Sequence, residues 1–364
     1  MIAKSMQNVY LNRVETAVPS YDGHQKFLSY LPLLIEDPRQ LKLVQRLASK
    51  AQIDHRYTVF APDEREDRLD ADGFFRRGQF ASTAQRMERY KKEALKLAED
   101  PVAKILSTLA NPQTEITHLI VTSCTGFYAP GLDLELQKHF SLRSDLERTI
   151  IGFMGCYAAF NAMKSAWHIV HSQPLSKVLI VNLELCSLHL QENGDAENVL
   201  GFLQFADGCA ASLVSREERG LRLERFRSDV MNEGAGLIRW DVGDQGFKMV
   251  LALDVPQALG RALPELLPLL MTPEERAQTK IWAIHPGGRS ILDAVEERLE
   301  LKADEMFESR EILRRFGNMS SATIMFVLKS IMANASTGPG TAMAFGPGLT
   351  VESMRFHKSE SISH

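Results

Sequence analysis

The chain has 364 residues, 45% hydrophobic and 24% charged, enough apolar material for one substantial core or two similar half-domains. A formal net charge of -4 and a pI near 6.2 give no overall basic surface for nucleic acid or an anionic membrane. No run reaches the ~18 apolar residues of a membrane span, and the start, MIAKSMQNVY, lacks the charged and apolar regions of a signal peptide.

In chain order, NVYLNRVETAVP (8–19) has the alternating, β-branched character of a strand ended by Pro19. Residues 22–55 are predicted largely helical, with Leu28, Leu31, Leu34, Leu41, Val44 and Leu47 on roughly helical spacing and breaks at Pro32 and Pro38. A polar, charge-rich connection over 62–77 is the most loop-like part of the chain and is expected to cover something. STAQRMERYKKEALKLAEDPVAKILSTLA then starts at a Ser or Thr cap and reads as an amphipathic helix interrupted near Pro101.

From residue 117 strands and helices alternate. THLIVTSC (117–124), TIIGFM (149–154) and KVLIVNLELCS (177–187) are apolar runs joined by helices, the pattern of buried parallel strands. CAASLVSRE (209–217) is a further strand, entered through the turn residues Asp207 and Gly208. The second half has strand candidates at 221–231 and 247–253, a helix over 255–270 and the strand KIWAIHP (280–286). Helices then start at Arg289 and near Asn318, and TAMAFGP and TVESMRFH close the chain around Gly346, Pro347 and Gly348. Two α/β halves, 1–217 and 218–364, packed into one body are the economical architecture.

Chemistry concentrates at three corners. GFMGCYAAFNAMKSAWHIV (152–170) passes from an apolar strand into a small-residue helix, with Cys156 at the helix N-terminus, where unpaired N–H groups favour a thiolate. A small buried cysteine is the plain alternative. His285 ends a strand in AIHPGGRSIL, and Asn318 opens an apolar helix in FGNMSSATIMFVL. Singly, these are a core histidine and an ordinary cap. Together, Cys can attack and later leave a thioester, while His and Asn donate hydrogen bonds to an oxyanion or enolate. The four cysteines, Cys124, Cys156, Cys186 and Cys209, have neither CxxC nor His/Cys zinc spacing and read as reduced thiols of a cytoplasmic protein, with no metal site.

The blocks GFMGCYAAF, QFADGCAAS, LALDVP, AIHPGGRSIL, FGNMSSA and FGPGLTVES, in this order, closely resemble the type III polyketide synthases, the chalcone and stilbene synthase family. The resemblance implies a thiolase-like fold, layered α-β-α-β-α, and a homodimer. It implies an acyltransferase that needs no cofactor beyond its substrates, malonyl-CoA and an acyl-CoA starter. By position, Cys156 matches the acyl-carrying nucleophile, and His285 and Asn318 match the pair that supports decarboxylation and condensation. Phe205 matches a gatekeeper between the CoA tunnel and the cavity, and could equally be a plain core aromatic. Arg46 and Lys50 match two CoA-binding bases, with Leu43 at the position of a third and Lys42 beside it. A solvated helix face is the alternative for these bases. Gly287 and Gly288 would let the pantetheine arm pass.

Departures from the plant pattern fall in the expected substrate pocket, to which Thr125 and Ser320 also belong. Met249 replaces the second gatekeeper phenylalanine, and Cys124, in an SCTGF form similar to the bacterial branch, replaces a threonine. His189 and Trp240 stand where plant enzymes usually have Thr and Gly. A plant flavonoid product is not expected. An alkylpyrone or alkylresorcinol from a long acyl starter is the first expectation, and a polyhydroxylated aromatic from malonyl-CoA alone is the second. A ketoacyl-carrier-protein synthase of the third type and a non-catalytic thiolase-fold binding protein remain as alternatives.

Overall fold

Strand β1 (Val9–Ala17) opens the computed structural model, which describes residues 8–231 and 234–359. Part of the leader reading, at residues 1–7, lies outside that range. The short strands β2 (Tyr21–Asp22) and β3 (Tyr57–Thr58) pair around α1 (His24–Leu34) and α2 (Pro38–Lys50). Pro38 starts α2 as expected, behind the Asp37 side chain, which accepts from the Arg39 N–H. Pro32, however, lies inside α1, and Pro101 inside α3 (Thr83–Leu106). Neither breaks its helix. Each costs one backbone bond, and the buried stripe around it, Phe27, Tyr30, Leu31 and Leu34 in α1, outweighs that loss. The cap of α3 is a full capping box between Ser82 and Gln85.

The alternating part follows as α4 (Pro112–Glu115), β4 (His118–Ser123), α5 (Leu132–His139), β5 (Glu147–Gly152), α6 (Ala158–Ser172), β6 (Val178–Leu185), α7 (Ala196–Phe202) and β7 (Asp207–Ser215). Asp207 and Gly208 are not a turn but the first residues of β7. The buried Asp207 carboxylate accepts from Ser187 N at 2.8 Å, Ser187 Oγ at 2.6 Å and Val59 N at 2.9 Å, which supplies the partners a strand position otherwise denies it. In the second half, β8 (Leu221–Val230) is followed by a hairpin of β9 (Ile238–Gly243) and β10 (Gly246–Leu251). Then come α8 (Val255–Leu270), α9 (Pro273–Gln278), β11 (Ile281–Ile284), α10 (Arg289–Leu299), α11 (Phe307–Phe316), α12 (Thr323–Ala333), β12 (Gly338–Gly346) and β13 (Thr350–Lys358). β9 and α11 are not expected from the sequence.

Among the described residues, nine strands form one sheet in the order β11-β12-β13-β8-β1-β7-β6-β4-β5. The antiparallel pairing of β1 with β8 joins the two halves. Alternation along the strands sorts side chains into layers. In β6, Val178 and Ile180 face the cluster holding α6 and α12, while Leu179, Val181 and Leu183 face α3. In β12, Ala342 and Ala344 face that same central cluster, and Met343 and Phe345 face α8 and α10. The result is α-β-α-β-α, with α6 and α12 as the middle layer. At one end, β5 is an edge strand, and its residues 147–150 are exposed rather than buried as its apolar run suggests.

Candidate active site

After β5, Phe153 and Gly155 take positive φ, and a tight 3-10 turn, Gly155–Tyr157, carries Cys156 into α6. Only glycine fits at 155, where φ is 77° and a Cβ would stand 2.3 Å from Pro347 Cδ. The regular helix begins two residues after Cys156, so the thiol sits ahead of the helix end rather than on it. Burial pushes the thiol up to about 11, while hydrogen bonds from the Ser320 and Asn318 side chains pull it down. Ser320 holds a left-handed backbone conformation, φ 47°, in the turn that delivers its hydroxyl there.

Asn318 bridges the site. Its Nδ2 donates to the Gly287 carbonyl at 3.2 Å, and its Oδ1 accepts from Ser320 N at 2.8 Å and from Thr323 Oγ1 at 3.3 Å. The Ser320 bond is a local turn and not the helix cap expected of Asn318: Met319 is the N-cap of the 3-10 turn Ser320–Ala322 and Ala322 that of α12, neither with a side-chain cap. His285, two residues before Gly287, is 1% exposed, and both its ring nitrogens are buried with no partner among the described residues. Burial alone pushes its pKa down to about 3, leaving a neutral imidazole. Two unpaired nitrogens at this depth cost about 1–3 kcal/mol each. Gly288 leaves room for Gln204, whose Oε1 would be 2.0 Å from a Cβ there.

Cys124, Thr125, Cys156, Cys186, Phe205, Trp240, Met249 and Ser320 line a cavity of about 30 Å³. Met249 and Trp240 are cross-strand partners in the β9–β10 hairpin, which brings both to the cavity. Trp240 Nε1 donates to the Cys124 carbonyl at 2.8 Å, and Gly155 N donates to Cys124 Sγ at 3.0 Å. His189 stands behind this wall. Its Nε2 pairs with the Thr125 carbonyl at 2.7 Å, its Nδ1 accepts from Phe247 N at 2.9 Å, and its ring stacks on Phe247 at 4.3 Å. With burial pushing it down to about 3, His189 is neutral with both nitrogens engaged, a brace rather than a donor to substrate.

Glu184 was not singled out from the sequence. Its buried carboxyl accepts from Cys124 N and Thr125 Oγ1, both at 2.9 Å, and from Ser321 Oγ at 2.6 Å, and burial pushes it up to about 7. A lone acid inside the apolar run of KVLIVNLELCS was the available signal. Arg46 and Lys50 lie on the exposed face of α2, outside the cavity, and Leu43 beside them is 49% exposed. Arg289 Nη1 donates to the Lys50 carbonyl at 2.8 Å, tying the start of α10 to the end of α2.

Residues 21–217 match the N-terminal domain, and residues 223–359 the C-terminal domain, of the chalcone and stilbene synthases. The chain belongs to that family. It is a type III polyketide synthase, an acyltransferase with a thiolase-like fold. Among its relatives, the alpha-pyrone synthesis polyketide synthase-like Pks18 of Mycobacterium tuberculosis is 31% identical over 336 residues, spanning 89% of this chain and 84% of Pks18. The C-terminal type III polyketide synthase domain of Steely1 from Dictyostelium superposes with a TM-score of 0.88 at 22% identity, covering 96% of this chain and 99% of that domain. PKS-I of the brown alga Ectocarpus siliculosus gives 0.83 at 23% identity, with 98% and 100% covered. These two likenesses establish the fold. The family match decides between the polyketide and carrier-protein synthase readings in favour of the type III polyketide synthase.

Proposed function

We propose that this synthase loads an acyl group from a CoA starter onto Cys156 and extends it with malonyl-CoA, and that the product leaves as an α-pyrone. The observation that carries this reading is the meeting of the Cys156 thiol with Ser320 and Asn318, the latter bonded to the Gly287 carbonyl two residues after the buried His285. In the first step the Cys156 sulfur, its developing charge met by Ser320 and Asn318, attacks the starter thioester, and its proton ends on the departing CoA thiolate. Malonyl-CoA then loses CO2 beside Phe205, with the enolate oxygen held by the neutral His285 N–H and Asn318 Nδ2. The enolate carbon attacks the Cys156 thioester and expels the Cys156 thiolate, which takes up a proton from solvent, giving a β-ketoacyl-CoA that reloads. After two extensions an enol oxygen attacks the CoA thioester carbonyl, closing the pyrone and expelling CoA. The printed name of Pks18 supports this product.

Arg46 and Lys50 are proposed to pair with the CoA phosphates, where their exposure leaves them free to do so. A cytoplasmic homodimer made of two-half protomers, divided near residue 217, is proposed as well. The exposed β5 edge, with Ile150 48% exposed and the neighbouring Phe127 and Met154 also open, supports a partner there. No helix among the described residues is long and apolar enough to cross a membrane. A malonyl-only enzyme making a polyhydroxylated aromatic is the second reading, favoured by the small Cys156 cavity.

Mass spectrometry of products from malonyl-CoA with short, aromatic and long acyl-CoAs, for wild type and Cys156→Ala, tests both. Cys156-dependent pyrones support the first reading, and Cys156-dependent aromatics from malonyl-CoA alone support the second. A folded protein that neither makes product nor acylates Cys156 would leave the chain a non-catalytic member of its family.

A further inference from the structure

Phe205 lies between two spaces. One is the Cys156 cavity, and the other, about 60 Å³, does not have Cys156 in its wall. A narrower space joins them, sharing Phe205, Met249, Trp240 and Cys186 with the first and Phe205, Phe202 and Leu190 with the second. Leu69 and Phe75 of the 62–77 segment line the second cavity, so the loop that the sequence marks as a cover does cover it.

That second cavity carries positive charge left unanswered by its wall. Arg56 lines it, is 5% exposed and forms no ion pair among the described residues. Its Nε donates to His24 Nδ1 at 2.9 Å and its Nη1 to the Phe202 and Phe205 carbonyls at 2.5 and 2.9 Å, while Nη2 has no partner among the described residues. Burial pulls the guanidinium down to about 10, which leaves it charged at neutral pH, and Asp22 and Asp207 attract it only from beyond ion-pair distance. Lys26, also in the wall, spends one N–H on the Arg65 carbonyl at 2.7 Å and keeps the others. Asp70, the carboxylate of the wall, accepts from Phe74 N at 2.9 Å and Phe75 N at 2.8 Å and pairs with neither cation. Phe27, Phe60, Phe75 and Phe202 supply aromatic surface around these donors, and the Arg56 guanidinium stands 5.0 Å from the centre of the Phe27 ring. Aromatic rings beside two cationic donors select a flat organic anion, whose body packs on the rings while its charge takes up the donors. A phosphate would set its outer oxygens against phenyl rings, and a neutral chain would leave Arg56 Nη2 unpaired.

We infer that the cavity beneath the 62–77 segment binds the finished product as an ionised 4-hydroxy-2-pyrone, its enolate oxygen and conjugated lactone carbonyl held by Arg56 Nη2 and Lys26 Nζ. This rests on the reading of the product as an α-pyrone. A 4-hydroxy-2-pyrone is a vinylogous acid, ionised at neutral pH, and its charge is shared between those two oxygens, so two acceptors meet two donors. The ring passes Phe205 on leaving Cys156, and its transfer clears the Cys156 cavity for the next starter.

The test is titration calorimetry of the full chain with 4-hydroxy-6-methyl-2-pyrone and with its 4-methoxy ether, which keeps the ring and lacks the charge. Wild type should bind the hydroxypyrone about tenfold more tightly than the ether, the worth of one hydrogen bond to a charged group. Lys26→Met, at a partly buried position, should lower the hydroxypyrone affinity about tenfold and leave that of the ether unchanged. Leu69→Trp, also at a partly buried position, fills the cavity from the loop side and should abolish binding of both. Equal affinity of wild type for the two pyrones, or no saturable binding of either, overturns the inference without recourse to a variant. A folded variant of either kind that binds the hydroxypyrone as wild type does also overturns it, because the ligand then sits elsewhere. A product mass spectrum without pyrone, from protein that binds the hydroxypyrone in the expected pattern, overturns the α-pyrone reading and not the anion site.

Discussion

Phe205 and Asn318 are paired backbone to backbone: Asn318 N donates to the Gln204 carbonyl at 2.7 Å, and Ala206 N donates to the Asn318 carbonyl at 2.9 Å. This bridge runs between the two halves of the chain. It sets the ring that lines the cavities against the side chain that reaches Cys156, so neither can shift without the other.

Asn318→Ala removes the donor to Gly287 and the acceptor for Ser320 N and Thr323 Oγ1. We expect a stability cost of about 1–3 kcal/mol and a loss of about 10²–10³ in malonyl-CoA decarboxylation. Acylation of Cys156 should persist. Release of CO2 and intact-protein mass spectrometry separate the two steps, and equal loss in both would count against an enolate role.

Ser320→Ala should raise the Cys156 pKa, because its hydrogen bond lowers it. A bond to a charged acceptor worth about 1.5 kcal/mol corresponds to a shift of about one unit. The rate of Cys156 alkylation by iodoacetamide, followed against pH, should move to higher pH by that amount. An unmoved profile would mean that Ser320 does not meet the thiolate.

His189 and Glu184 should give opposite pH dependences. His189 is pushed down to about 3 from an ordinary 6.5, so its contribution is full above pH 6.5 and is lost as pH falls towards 3, by up to about 1.4 kcal/mol per unit. Glu184 is pushed up to about 7 from 4.5, so its contribution is full below pH 4.5 and is lost as pH rises to 7. In urea unfolding, His189→Gln should therefore gain on wild type from pH 7 to 5, and Glu184→Gln should gain from pH 5 to 8. Parallel curves for either pair would show that the group does not titrate as its surroundings require.

Trp240→Ala opens the Cys156 cavity and leaves the Cys124 carbonyl without its indole donor. Because Trp240 is only partly buried, the cost should lie below the about 3–5 kcal/mol of a fully buried aromatic. Bulkier starters or longer products should appear in the product mass spectrum. A product set identical to wild type would mean that the indole does not bound the reacting chain.

Much of this was legible along the chain. The bounds of α8 and the starts of α2 and α10 follow from caps, prolines and apolar spacing, and the corners at Cys156, His285 and Asn318 stand out because polar residues interrupt apolar runs. Glu184 interrupts such a run too, yet nothing local distinguishes it from a strand-end acid. Only the arrival of Thr125 and Ser321 from distant segments satisfies its carboxyl. β9 alternates Ile238, Trp240 and Val242 with Arg239 and Asp241 but is only six residues long, and it is a strand through pairing with β10.

The sequence by itself determined the family, the α/β alternation and the three reactive side-chain types, because these rest on short-range periodicity and motif order. Only the tertiary structure decided that Pro32 and Pro101 continue their helices, that β5 is exposed, and that His189 braces a wall. It alone set Trp240 against Met249, and Phe205 between two cavities. Those outcomes depend on which surfaces meet across a hundred or more residues of chain, where burial and hydrogen-bond satisfaction outweigh local propensity.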